Sequence, residues 1–243
     1  MKGLVALHLL LSLALAFLLG LTNPALYVKA GENAVRFASL LGFRGDLLQE
    51  ALRAVFETFV ISLFGVSFGG LVAFLVAPYA SPLVVAPNLS WAVRAASSAI
   101  RTVPAVLWAI FFVILVGPGP QAGALALALY TSTYLVKLFY EALETVDREL
   151  YYSLRAIGLR GVLLASALFT HVKRQIASHV LFMLEYNVRT AAILGFVGAG
   201  GVGYYILQYL SILDYAAVAT YVATTVVFVV AIDSVSYLAR SRI

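Results

Sequence analysis

Residues 185 to 203 read EYNVRTAAILGFVGAGGVG, an acid, an amide and a base set inside an apolar run that ends in a cluster of glycines. A charge at the centre of a bilayer costs about 2.5–3.5 kcal/mol on insertion scales, so Glu185 and Arg189 are expected to face protein or a water-filled path and not lipid. They stand four residues apart, one helical turn, where each partly neutralises the other. The expectation is an ion pair within one helix, with Asn187 as a further intramembrane polar group.

The remainder of the chain fits the same solvent. Of 243 residues, 63% are hydrophobic and 11% charged, and the mean hydropathy of +1.00 lies far outside the range of soluble domains. Apolar runs of about 18–25 residues, each long enough for a hydrocarbon core of about 30 Å, use nearly all of the chain. Six are expected to be spans: Leu4–Leu21, Phe59–Tyr79, Trp91–Val116, Ala122–Tyr140, Ile176–Val197 and Tyr215–Tyr237. The fold class is therefore all-α, a polytopic membrane protein. Lys2 before the first run also suits a secretory signal, but the run is longer than a usual signal core and no clean small-x-small cleavage site follows, which favours a retained helix.

The pI near 9.5 does not point to nucleic acid, because the basic residues are scattered over the connections between spans. If the longest polar connection, residues 144–175, is cytoplasmic, then Arg94, Arg101, Lys137, Arg148, Arg155, Arg160, Lys173, Arg174, Arg240 and Arg242 all lie inside or at the inner interface. That is the positive-inside bias, and it puts both termini in the cytoplasm. Residues 22–57, outside, carry Asp46, Glu50 and Glu57 among Leu47, Leu48, Leu52 and Val55, an amphipathic helix leading into the second span. One domain is expected, with residues 1–52 an extra N-terminal helix and outer segment and 53–243 the core.

Several chemistries find no support. Cysteine is absent, which excludes disulfides and thiolate metal sites. His8, His171 and His179 have no carboxylates at metal-ligand spacing. Gly198, Gly200 and Gly203 spell G-x-G-x-x-G, but the run before them is a membrane-length helix and the acid due about 20 residues later is missing, so a dinucleotide fingerprint is rejected. The cluster reads instead as a turn at the outer end of a span, or as backbone whose N–H groups briefly hold an anion. Gly65 with Gly69, and Gly119 with Gly123, are small residues at a spacing that lets helices approach closely, within one subunit or between two.

On the inner side, periodicity predicts a short helix from about Arg148 to Ile157, within a cytoplasmic segment 148–161. Leu150, Leu154 and Ile157 share one face, and Gly158 stops the helix in a left-handed cap. Such a helix either rests on the membrane surface or docks a cytoplasmic partner.

This segment resembles the cytoplasmic signature of ABC importer permeases, E-A-A-x-x-x-G, then nine residues, then I-x-L-P. Tyr152-Ser153-Leu154 precede Gly158 at the right spacing and Leu168 falls at the isoleucine, while Tyr152 replaces the glutamate and Thr170-His171 replace Leu-Pro. Further segments resemble the phosphonate and phosphite branch of those permeases from Glu57 to Ile243. They are Glu57-Thr58, Arg101-Thr102-Val103-Pro104 with Trp108, Gly117 with Gly119, Lys137-Leu138-Phe139 running into Glu141-Ala142-Leu143, Asn187-Val188-Arg189, the glycines from Gly198 to Gly203, Asp214-Tyr215 and Asp233.

The resemblance implies a type I importer permease in the cell membrane that has no catalytic residue of its own. It implies two permease copies, two cytoplasmic ATPase subunits that bind ATP and Mg, and an outer solute-binding protein that delivers a small phosphorus oxyanion. Leu150, Tyr152, Ser153, Leu154, Arg155, Ala156 and Gly158 would couple to the ATPase. Thr58, Arg101, Pro104, Glu185, Asn187, Arg189, Gly198, Gly200, Gly201 and Gly203 would line the path or supply intramembrane polar groups. A permease for methionine or an osmoprotectant remains the nearest alternative. A secondary carrier or channel using Glu185, Arg189 and Asp233 is another class, and an intramembrane hydrolase lacks any visible dyad.

Overall fold

The computed structural model describes residues 2–242, whose regular structure is all helical, with no strand among them. Two units separate, residues 1–43 and 44–243. The first holds α1 (Lys2–Leu18) and α2 (Pro24–Leu40). Asn23 caps α2, its side chain accepting from the Ala25 N–H at 3.1 Å, and Pro24 occupies the first helical position, where a missing N–H costs nothing. At 17 residues α1 covers about 25 Å, short of a full span.

The second unit contains α3 (Leu48–Ala80), α4 (Pro87–Thr102), α5 (Ala105–Val116), α6 (Pro120–Glu144), α7 (Arg148–Ala156), α8 (Gly161–Leu194), α9 (Val202–Ser211) and α10 (Tyr215–Ser241). The amphipathic segment before the second span is continuous with it, as the pattern predicted, since α3 begins at Leu48 and runs 33 residues. The unit starts earlier than residue 53. The Arg44 backbone N–H donates to Thr220 Oγ1 at 2.8 Å, and its guanidinium bridges Asp46 at 2.6 Å and Asp214 at 2.7 Å.

Among the described residues four helices are long and apolar enough to cross a membrane, and the bent pair α4–α5 is either a broken fifth span or a re-entrant loop. The expected count of six is thus corrected at two places. The first run is too short, and residues 91–116 are not one straight helix but two, bent by 82°. Pro104 causes the break, because its ring drives Val103 out of the helical region, to ψ 122°. The Trp108 indole N–H then reaches back to the Ile100 carbonyl at 3.1 Å and partly satisfies the broken end.

The core is built on small residues. A Cβ on Gly65 would stand 2.7 Å from that of Leu127, and one on Gly69 would stand 2.9 Å from the Ser132 nitrogen. This G-x-x-x-G is therefore the seam between α3 and α6 of one subunit. Beside it Asn187, fully buried, donates from Nδ2 to Thr131 Oγ1 at 2.8 Å and ties α8 to α6. Phe139, Leu164, Leu168 and Met183 fill the inner part of the core. With Thr170-His171 in place of Leu-Pro no backbone donor is lost, and α8 runs unbroken for 34 residues.

Asp214 also caps α10, accepting from the Ala217 N–H at 2.9 Å. That bond, and then Arg44, holds its carboxyl below the usual carboxylate range, and Arg44 does the same for Asp46. A depressed folded-state pKa contributes stability above the ordinary value near 3.8 and loses it as pH falls through the lower folded value. Asp214→Ala is therefore expected to speed hydrogen exchange at residues 215–218 at pH 7, with the difference from the parent narrowing below about pH 4. Equal exchange at pH 7 would show that the clasp contributes nothing.

Candidate functional site

One site is built around the glycine cluster. Gly198 adopts φ +83°, and Gly200 and Gly201 follow at +77° and +73°, backbone that residues with a Cβ rarely adopt. Two side chains at the second-span entrance hold this turn: Glu57 Oε1 accepts from the Gly201 N–H and Thr58 Oγ1 from the Val202 N–H, each at 2.8 Å. The Gly119 N–H donates to the Gly198 carbonyl at 2.8 Å. A Cβ on Gly200 would meet the Pro120 backbone at 2.7 Å, and one on Gly203 would overlap the Ala192 carbonyl, so the turn is pressed between α6 and the end of α8. A cavity of about 300 Å³ opens here, lined by Glu57, Pro118, Gly119, Gly200, Gly201 and Tyr204 among others. The glycines form a turn, and the Gly201 N–H in it is already taken by the Glu57 carboxyl.

The expected ion pair between Glu185 and Arg189 does not form. Glu185 Oε1 lies 2.6 Å from an Arg240 nitrogen, and Arg189 pairs with Asp233. Each charge on α8 thus reaches across to α10, with partners 55 and 44 residues away, because one helical turn places the two side chains at different heights against the neighbouring helix. Glu185 is nearly buried, its side chain 11% exposed, whereas Arg189 is 53% exposed in this subunit. Sequence reasoning missed Arg240 as a structural residue, since at the end of the chain it resembles a topology-setting cation.

The structure also brings Arg101 and Pro104 to the α4–α5 break, where the Arg101 guanidinium lies 5.8 Å from the Tyr134 ring centre. Tyr134 and Tyr130 in turn stack near Tyr186, at 6.3 and 6.2 Å. No sequence motif pointed to this aromatic group: Tyr130 and Tyr134 stand one turn apart on α6, but Tyr186 joins them from α8.

On the opposite side α7 takes the residues predicted for it. Asp147 caps it, accepting from the Glu149 N–H at 3.3 Å, and Gly158 at φ +88° ends it. The Gly158 N–H donates to the Arg155 carbonyl at 3.1 Å and the Leu159 N–H to that of Leu154 at 3.2 Å, a Schellman closure. The free face differs from the one expected. Leu154 turns inward and packs, with Leu159 and Tyr151, on the core of its own chain, and Leu150 is half-buried. Tyr152, Ser153, Arg155, Ala156, Ile157 and Gly158 are exposed, Ile157 by 75% and Tyr152 by 65%.

Residues 69–243 match the model of the binding-protein-dependent transport system inner membrane component. The chain belongs to that family. It is thus a multi-pass component of an inner membrane transport system and not an enzyme. Among its relatives is the phosphate-import permease protein PhnE of Mycolicibacterium smegmatis, 34% identical over 200 residues, 82% of this chain but only 37% of that protein. Another is the phosphite transport system permease protein PtxC of Stutzerimonas stutzeri, 32% identical over 196 residues, 79% of this chain and 70% of the relative. The fold matches that of a chain in the inward-facing MetNI methionine ABC transporter, with a TM-score of 0.72 at 22% identity over 82% of this chain and 99% of that one.

Proposed function

We propose that this protein is the permease of an ABC importer for a small phosphorus oxyanion: phosphonate, phosphite or phosphate. Two copies form the path, two cytoplasmic ATPases bind ATP and Mg and drive it, a solute-binding protein loads it from outside, and both termini lie in the cytoplasm. This chain binds no cofactor. The observation that carries the reading is α7, a capped helix whose inner side is locked to the spans by Leu154 and Tyr151 while Tyr152 and Ile157 remain free. A lever needs both properties: an apolar surface for the ATPase to grip and a rigid attachment that turns ATP-driven closure into movement of the spans.

The half-exposed Arg189–Asp233 pair supports the second copy. A pair on the surface of membrane-spanning helices is costly against lipid, so another protein surface or the water of the path covers it. Thr58, Gly198, Gly200, Gly201 and Gly203 belong on this reading to the outer mouth, where cargo enters. Asn187 is a packing residue.

The cargo class rests on the relatives' names. The binding protein that stimulates the reconstituted transporter is expected to bind methylphosphonate, phosphite or phosphate in titration calorimetry, with methionine and choline giving no heat. Tight binding of methionine or choline alone would transfer the protein to another importer branch.

A further inference from the structure

A second cavity, of about 270 Å³, lies between α4 and α6, lined by Arg94, Ser97, Ser98, Arg101, Lys137 and Tyr140 among others, and no acid is among the described residues that line it. Its three cations are not equivalent. Arg94 is committed to the fold. Its Nε donates to the Ala80 carbonyl at 2.6 Å, its guanidinium pairs with Glu144, and it lies 4.1 Å from the centre of the Tyr140 ring. Lys137 pairs with Glu141 at 3.5 Å. Arg101 takes part in no ion pair among the described residues and rests only over Tyr134. Two carboxylates thus offset two cations, and one positive charge remains.

The location sharpens this. The 12 residues of α5 cover about 18 Å between Gly117 and the 82° break that turns the chain into α4. With the Gly117 end of α5 at one face of a hydrocarbon layer of about 30 Å, Arg101 opens within that layer, where a cation without a counter-ion is costly. Around it stand neutral donors, the hydroxyls of Ser97, Ser98 and Tyr140, which suit several oxygens of one tetrahedral group. The outer cavity has the opposite character, with the Glu57 carboxylate in its wall.

We propose that this inner cavity is a binding site for a singly charged tetrahedral phosphorus oxyanion, with Arg101 as its counter-charge. The group is either free cargo in transit or the phosphodiester of an anionic lipid. The first source rests on the proposed function; the second does not. A single net charge with neutral donors holds such a group and still releases it, as a conduit must.

Two measurements on the full permease–ATPase complex test the proposal and separate the sources. One is equilibrium binding of inorganic phosphate and of methylphosphonate to the complex in phosphatidylcholine nanodiscs. The other is native mass spectrometry of phosphatidylglycerol retained after purification from mixed lipid. Arg101→Gln is expected to weaken binding about tenfold or more in the arm that reports the true source, Arg101→Lys to restore most of it, and Arg36→Gln, in the N-terminal unit, to change nothing. If Arg101→Gln fails to fold, Ser97→Ala with Ser98→Ala is the second variant, expected to weaken binding roughly threefold. Loss of free-ion binding assigns the site to cargo, and loss of retained phosphatidylglycerol alone assigns it to lipid. Parent-like behaviour of the variants in both arms, or no binding by the parent in either, overturns the site, whereas the binding-protein titration decides the cargo independently.

Discussion

Ile157→Asp is expected to abolish transport while the permease still folds and inserts. Ile157 is 75% exposed in this chain, so a carboxylate there meets water in the free subunit and disturbs nothing. Docked against an apolar groove of an ATPase, the same carboxylate loses its water and gains no partner, at a cost on the order of 3 kcal/mol, about a hundredfold in association. Co-purification with the ATPase and transport into proteoliposomes should both collapse, with yield and melting temperature of the permease alone unchanged. Leu154→Asp should behave differently. Leu154 packs on the core of its own chain, so its substitution lowers the yield of the permease itself. Full transport by Ile157→Asp would mean that the exposed face of α7 docks nothing, and the importer mechanism would lose its lever.

This distinction between two residues three apart shows where sequence reading ends. The helix, its start near Arg148 and its stop at Gly158 were legible because periodicity and capping are local chemistry, written within a few residues. Which apolar residue faced the chain and which faced the partner was not, since Leu150, Leu154 and Ile157 satisfy one helical stripe equally well. The decision is made by the buried cluster of the chain's own core, against which Leu154 packs beside Val146, Tyr151 and Leu159. The α4–α5 break tells the same story. Pro104 announces a possible kink, but an angle of 82° is set by how α4 packs against α6. The glycine cluster was legible as a turn, whereas Glu57, 144 residues from the amide it binds, appeared only as a charge at the head of a span.

The ion pairs across α8 and α10 carry the other large expected effect. Arg240→Ala leaves the Glu185 carboxyl, its side chain 11% exposed, without its partner inside a membrane-spanning bundle. Stranding one partner of a buried pair costs about 3–5 kcal/mol; the lower end applies because Arg240 is itself 33% exposed and part of its charge already faces water. That is a large fraction of the about 5–15 kcal/mol that stabilises a typical domain, and the yield of folded, monodisperse permease should fall severely. Glu185→Gln is the milder single change, since the freed arginine can turn outward. The double variant Glu185→Gln with Arg240→Gln removes both charges and keeps amide hydrogen-bonding capacity, so its yield and melting temperature should recover most of the loss. Pairing Glu185→Gln with Arg189→Gln should not recover it, because that choice strands Arg240 and Asp233 together. If instead this second combination were the better folded of the two, the charges would be coupled along α8 and not across to α10, and the helix pairing described here would have to change.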